Sequence, residues 1–224
     1  MVVAIDDFKI SSKDYPTHKR QAIIFFQKAE DIGAEFKLEK SQFAGAEAEF
    51  WGFVCDETGR RPTASKLQQL RGWPDYQCIE DVKSHIHFAE CLKEYIPDLP
   101  RIIFPLRKHL RKGTTFEELQ ADPVALAAKK GLTEVIADQC TIVQLDYVAA
   151  AAPFNSGRPI ELFSDASDYG WSMAVTQKPK EDATPKIAAM IVRSFTGTQM
   201  KWSTFEREFF GFSKGLQKVE HLIK

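Results

Sequence analysis

The chain has 224 residues, 44% of them apolar, enough for one large or two small domains with real cores and too many for a disordered chain. Thirty basic against 31 acidic residues leave a net charge of −1, with residues 1–112 at +1 and 113–224 at −2. No global basic field exists, so any nucleic-acid contact has to come from local patches. Four cysteines without Cys-x-x-Cys spacing, no secretory signal and no apolar run near the roughly 20 residues of a bilayer span point to reduced thiols, an intracellular setting and no membrane partner.

Residues 2–12 read as two short strands around a tight turn at Asp6-Asp7, since Val, Ile and Phe flank a residue type that tolerates positive φ. A helix follows, capped by Asp14, with Pro16 in its first turn and Gly33 at its end, and with Ala22, Phe25, Phe26, Ala29 and Ile32 as its apolar face. Residues 48–62 suggest a hairpin, in which Phe50–Cys55 is a strand and Asp56–Gly59 the turn. A short helix opens at Pro62-Thr63 and stops before Trp73-Pro74. Further helices are predicted over about 79–95, 101–112 and 118–138, the last carrying Asp122-Pro123 near its start. Residues 149–158, Ala- and Gly-containing with a proline, form a candidate linker. Beyond it the pattern turns to strands at Ile160–Ser164, Trp171–Thr176 and Ile187–Phe195, with residues 178–186 as a polar loop. A final helix spans about Ser203–Leu222, where Ser203 and Glu206 have capping-box spacing.

Three groups of residues carry candidate chemistry. Asp6 and Asp7 near the start, and Asp165 and Glu208 near the end, are carboxylates of the kind that hold hard divalent cations for phosphoryl chemistry; a bare Asp-Asp turn is also a common solvated hairpin tip. Asp168, before Gly170, reads as a turn residue. Lys108, Arg111 and Lys112 are spaced to share a helix face, which suits phosphate contacts without sequence preference and equally suits a solvated helix end. Trp51 and Phe53 alternate onto one strand face, where they serve a core or touch a nucleic acid. Cys78, His85, His87 and Cys91 do not converge on a helix, which argues against zinc.

Taken in order, these motifs resemble the pol polyprotein of gypsy-type LTR retrotransposons, from the end of the reverse-transcriptase palm into ribonuclease H. Ile5-Asp6-Asp7 is similar to the family's Tyr-x-Asp-Asp box. Phe50-Trp51-Gly52-Phe53 with Gly59-Arg60-Arg61-Pro62 is similar to its Phe-Leu-Gly-His … Gly-Ile-Arg-Pro stretch, which includes the primer grip. Trp73-Pro74, Tyr95-Ile96-Pro97-Asp98 and Pro105-Leu106 match its thumb and connection. Asp165-Ala166-Ser167-Asp168-Tyr169-Gly170 matches the opening of ribonuclease H, and Ser203-Thr204-Phe205-Glu206-Arg207-Glu208 its first helix. Departures are Ala4 for the family's tyrosine, Phe53 for its histidine, Phe116-Glu117 without the usual tryptophan, and a longer loop at 178–186.

The resemblance implies an α+β chain: palm-remnant hairpins (1–62), thumb and connection helices (63–148), the linker (149–158), and a partial ribonuclease H-like fold of three antiparallel strands plus a helix (159–224). It implies RNA-directed DNA synthesis and degradation of RNA in hybrids for the parent enzyme, with primer–template duplex or RNA–DNA hybrid as partner. Trp51, Gly52, Phe53, Lys108, Arg111 and Lys112 are the implied duplex contacts. Asp6, Asp7, Asp165 and Glu208 are the implied catalytic Mg²⁺ ligands, with Glu206 left to the cap. Further carboxylates of both family sites lie outside this chain, so weak Mg²⁺ binding and little or no activity of the isolated chain are expected. Self-association through the exposed edge of strand 160–164 is also expected. The alternative is a domesticated, non-catalytic fragment that binds nucleic acid or protein.

Overall fold

The computed structural model describes residues 2–4, 7–96, 98–134, 141–152 and 156–223, the side chains of residues 2–4, 7 and 38 excepted. They divide into two units, residues 1–57 and 58–224.

In the first unit β1 (Val2–Ala4) pairs antiparallel with β2 (Asp7–Lys9), Ala4 opposite Asp7. The pairing of Val3 with Phe8 sets this register. Asp7 belongs to β2, and Asp6 lies outside the described residues. Helix α1 (Tyr15–Asp31) starts as its sequence dictates: the Asp14 carboxylate accepts from the Thr17 amide at 2.8 Å and from its hydroxyl at 3.1 Å. Gly33, at φ 66°, follows its end. Phe25 and Phe26 of α1 join Phe8, Phe36 and Phe43 in an aromatic cluster with ring centroids 5.3–6.0 Å apart. Ile32 is not part of this face; it caps the helix and is 81% exposed.

Strands β3 (Ala48–Phe50) and β4 (Phe53–Cys55) are joined by Trp51 and Gly52 alone, with Phe50 opposite Phe53. Both linking residues have positive φ, 56° and 73°, as a two-residue hairpin turn with the favoured twist requires. This corrects the expected strand through Phe50–Cys55. Trp51 and Phe53 do not alternate on one face; Trp51 is a turn residue and Phe53 a buried strand residue.

The second unit begins with β5 (Arg60–Pro62), where Arg60 and Ile142 exchange backbone hydrogen bonds of 2.8 and 2.9 Å. Gly59 permits this approach, since a Cβ there would lie 2.1 Å from the Ile142 carbonyl oxygen. Helices α2 (Ala64–Arg71), α3 (Ile79–Cys91), α4 (Leu99–Lys108), α5 (Phe116–Gln120) and α6 (Pro123–Thr133) follow. Their core contains Leu70, Val82, Ile86, Ile103, Leu106, Leu119 and Leu132, each no more than 1% exposed.

The expected helix over 118–138 is two helices. Asp122 accepts from the amides of Val124 and Ala125, and Pro123 follows, so a new helix starts where the old one would have continued; residues 135–140 lie outside the described residues. Helix α3 ends at Cys91 rather than 95, in a turn closed by Tyr95 N–H donating to the Leu92 carbonyl at 2.8 Å. Helix α4 ends at Lys108. Arg111 and Lys112 lie in the turn before Gly113, at φ 92°, so the three cations do not share a helix face.

After the short helix α7 (Tyr147–Ala151) comes an antiparallel sheet in the order β6 (Ile160–Ala166), β7 (Gly170–Gln177), β8 (Lys186–Ser194). Helix α8 (Thr204–Ile223) lies across one face of it. Trp171, Met173, Val175, Phe195 and Val219 form the core between them. A buried glutamine ties α7 to the sheet. Gln177, 2% exposed, accepts from the Asp146 amide at 2.7 Å and donates to the carbonyls of Asp146 and Arg158 at 2.9 and 3.0 Å.

Candidate functional site

Close packing of α8 on the sheet positions the acidic residues. Built on Gly215, a Cβ would lie 2.8 Å from the Met173 Cβ; on Gly211, 2.9 Å from the Trp171 Cβ and 3.8 Å from the Ala166 Cβ. Two glycines one helical repeat apart thus seat the helix on β7 and the end of β6. Glu208 precedes Gly211 by three residues, so it stands about 4.5 Å up the helix on the same side. It is half-buried. Asp165 is the residue before Ala166. Glu208 on the helix and Asp165 on the strand thus lie toward the same end of the sheet, with Asp165 on the face turned away from α8.

Strand alternation assigns Asp165 to a particular face. Ile160, Leu162 and Ala166 pack against the core under α8, whereas Phe163 and Asp165 are exposed on the opposite face. Asp165 sits opposite Ser172, and Ser172 opposite Val192, forming one cross-strand row. Only part of that face is covered: Pro100 at the start of α4 meets Gly170, and Phe104 packs on Tyr169 with centroids 4.7 Å apart.

The neighbouring carboxylates are engaged otherwise. Glu206 accepts from both the Ser203 amide and hydroxyl at 2.7 Å, while the Ser203 hydroxyl oxygen accepts from the Glu206 amide at 3.3 Å. The Ser203 hydrogen bonds hold the Glu206 carboxyl below the usual carboxylate range. This is the expected division of labour, with Glu206 as cap. Asp168 accepts from the Arg207 guanidinium at 2.5 Å in a bend where the Ser167 hydroxyl oxygen accepts from the amides of Tyr169 and Gly170. Arg207, which sequence reasoning passed over, is the clamp between this turn and α8; its position beside Glu206 in the helix motif was the available signal.

As donors, Asp165 and Glu208 are hard carboxylate oxygens that suit Mg²⁺. No cluster of three or more His, Cys, Asp or Glu that could hold a metal ion occurs among the described residues. The other implied pair does not assemble into a described site: Asp6 and the Asp7 side chain lie outside the description. His85 is fully buried, stacked on Trp73 at 4.5 Å with Nδ1 2.7 Å from the Tyr76 hydroxyl, and Cys78 caps α3.

The implied duplex contacts are spread over the chain. Trp51 is 58% exposed at the hairpin tip. The Lys108 ammonium lies 5.0 Å from the Phe104 ring centroid. Arg111 and Lys112 are exposed beyond the helix end.

Residues 144–224 match the model of the RNase H-like domain found in reverse transcriptase. The match takes in Asp165, Glu208, the whole of the β6–β7–β8 sheet and α8. Over nearly its full length the chain is also similar to retrovirus-related Pol polyproteins of Drosophila melanogaster transposons: 23% identical to that of opus over 97% of the chain, and 22% to that of gypsy over 99%. It spans about a fifth (21%) of each of those relatives. Among solved structures, the foamy viral protease–reverse transcriptase in complex with RNA/DNA hybrid has the same fold, with a TM-score of 0.67 at 19% identity, covering 95% of this chain and 27% of that one. The resemblance to gypsy-type pol read from the motif order is thus borne out.

Proposed function

We propose that this chain is the part of a retrotransposon reverse transcriptase that links duplex handling to RNA degradation, and that Asp165 and Glu208 are carboxylates of its ribonuclease H centre. The observation that supports this reading is that a strand-end aspartate and a helix-borne glutamate lie toward the same end of the RNase H-like sheet, while Glu206 and Asp168 are committed to structural partners. The partner is RNA–DNA hybrid or primer–template duplex. A protein of the same fold is solved with RNA/DNA hybrid, which supports that choice.

Trp51 and Gly52 at the hairpin tip, with Phe53 behind them, offer an aromatic platform to the duplex. Lys108, Arg111 and Lys112 offer phosphate contacts. Asp6 and Asp7 are assigned to the polymerase carboxylates of the parent enzyme. A divalent cation held by Asp165 and Glu208 would polarise a phosphodiester and lower the pKa of a bound water. The chain's own contributions are to orient those two carboxylates and to keep Asp165 open to solvent. Two carboxylates make weak Mg²⁺ binding and slow or absent cleavage the expectation for this chain alone.

The test is binding of a labelled RNA–DNA hybrid in parallel with Mg²⁺ titration. Hybrid binding should weaken steeply with salt. Mg²⁺ should bind weakly, and Asp165→Asn and Glu208→Gln should each abolish that binding with folding unchanged by circular dichroism. Mg²⁺ affinity indifferent to both substitutions would refute the assigned centre, and vigorous cleavage by this chain alone would refute the expected weakness.

A further inference from the structure

Helix α8 carries a second apolar stripe that the sheet does not use. Phe205, Phe209, Phe212 and Leu216 follow one another at intervals of four, three and four residues, so they share a face roughly a quarter turn from Gly211 and Gly215. Phe205, Phe209 and Phe212 are 77%, 64% and 48% exposed, and the first two rings lie nearly parallel with centroids 6.3 Å apart. At roughly 200 Å² for each phenylalanine, these three leave about 380 Å² of apolar surface in water, a patch of the size that marks an interaction site.

The stripe overhangs the free edge of the sheet. Phe210 packs on Phe195, just past β8, and on Trp202. The flank of α8 turned the other way therefore points over β6. Among the described residues β6 pairs with β7 alone, which leaves its outer backbone groups open. Helix and strands are also closely aligned. Gly211 sits over Trp171 and Gly215 over Met173, so about 6 Å of helix matches the roughly 6.7 Å between those strand residues. An open edge and an apolar helix flank thus run side by side.

We propose that this ledge is a two-fold interface with a second copy of the chain. Antiparallel pairing of β6 with its copy, Phe163 opposite Phe163 and Ile160 opposite Ala166, engages all 7 residues of the strand and makes one continuous sheet. The dyad is normal to that sheet, so both α8 helices fall on one face with their phenylalanine flanks turned toward each other. Since α8 rests on β7 and the end of β6, strands about 4.8 Å apart place the two helix axes about 10–14 Å apart. Ordinary helix pairs stand about 8–10 Å apart, and two rows of rings fill the difference. A standard interface takes about 800 Å² from each partner; an edge about 23 Å long, with the 57% exposed Phe163, adds to the ring surface toward that figure. One contact is adverse. Glu161 and Asp165 share the open face with Phe163, and in this register they meet across the dyad as like charges.

Sedimentation of the full chain over about 1–200 μM tests the interface. The wild type should reach a dimer and nothing larger, because an isologous contact closes on itself. Phe209→Glu should raise the dimer Kd about tenfold or more, through apolar burial lost on both sides. Glu161→Lys should lower it about three- to tenfold, as two opposite-charge pairs replace two like-charge ones. Ile32→Glu, which charges an 81% exposed position in the first unit, should leave it unchanged. Circular dichroism should show every variant folded, and Phe212→Glu repeats the ring test if Phe209→Glu is not. A monomer throughout the range overturns the inference, whether the stripe then stays bare or takes up hybrid duplex, which a gel shift comparing wild type with Phe209→Glu detects. Open-ended oligomers, a dimer indifferent to Phe209→Glu, or one weakened by Glu161→Lys overturn it as well.

Discussion

Gly215→Ala tests whether α8 is held against the sheet by the absence of a side chain. In an exposed helix interior this substitution stabilises by roughly 1 kcal/mol, because alanine loses less backbone entropy. Here the new methyl would meet the Met173 Cβ at 2.8 Å and Cγ at 3.1 Å. The Met173 Cβ is fixed to its strand, and Met173 is fully buried. The helix must therefore lift by about half an ångström or more, and overpacking of this kind costs about 1–3 kcal/mol. The net expectation is destabilisation by about 0.5–2 kcal/mol, a fall in Tm of about 2–6 °C for a unit of this size. Gly131 in α6 supplies the internal control. A Cβ there has only the Ile102 Cγ2 near it, at 3.8 Å, so Gly131→Ala should stabilise by about 0.4–1 kcal/mol. Urea and thermal unfolding of the two variants, measured side by side, should move in opposite directions. If Gly215→Ala raises stability as Gly131→Ala does, the close seating of α8, and with it the placement of Glu208, is wrong.

Trp51→Asn should raise the stability of the hairpin by roughly 0.5–1 kcal/mol, since asparagine tolerates the positive φ that strains a tryptophan, while hybrid affinity falls by the roughly 1–3 kcal/mol of a lost stacking platform; equal affinity with higher stability would remove Trp51 from the interface. Burial, and secondarily the Lys129 charge, depress the His85 pKa from 6.5 to about 4, so the unfolded chain takes up this proton first and stability is lost as pH falls through that window. The loss should be on the order of 2 kcal/mol between pH 7 and pH 5. His85→Phe, which retains a ring to stack on Trp73, should flatten this part of the profile in urea titrations at the two pH values; an unaltered profile would assign the loss to other groups. Phe163, 57% exposed on the edge strand β6, should promote association between copies through that edge. Sedimentation should show concentration-dependent oligomers that Phe163→Lys reduces, and a monodisperse monomer at high concentration would count against an adhesive edge.

Signals that act within four residues were legible in the sequence. Asp14 with Pro16, the Ser203–Glu206 box and the apolar runs of β6, β7 and β8 all operate at that range, and the structure has them where they were placed. Asp122-Pro123 was equally legible as a helix start, but the amphipathic run on both sides outweighed it. Trp51 was not legible, because propensity argues against an aromatic at positive φ; the pairing of Phe50 with Phe53 imposes that conformation from outside the residue. Pairings across long stretches of chain left no trace in spacing. Arg207 with Asp168 and Gln177 with Asp146 are brought together only by the fold. Of the acidic site, the choice of Glu208 over Glu206 followed from the capping box, whereas the face on which Asp165 emerges needed the sheet register.

That register explains an otherwise unfavourable surface. A sheet with helices on both faces would bury Phe163, and α4 lies close enough to cover the β8 side through Pro100 and Ile103. It stops at Gly170 and Tyr169, leaving the β6 side open, and Phe163 and Asp165 share that open strip because they are two residues apart on one strand. Any helix that sheltered the phenylalanine would also shut the aspartate off from a duplex about 20 Å across, which cannot enter a narrow cleft. Exposure of an apolar ring is therefore a consequence of presenting the carboxylate on a sheet face. The same opening that admits a nucleic acid makes the neighbouring edge prone to self-association, so hybrid binding and oligomer formation should compete for one surface.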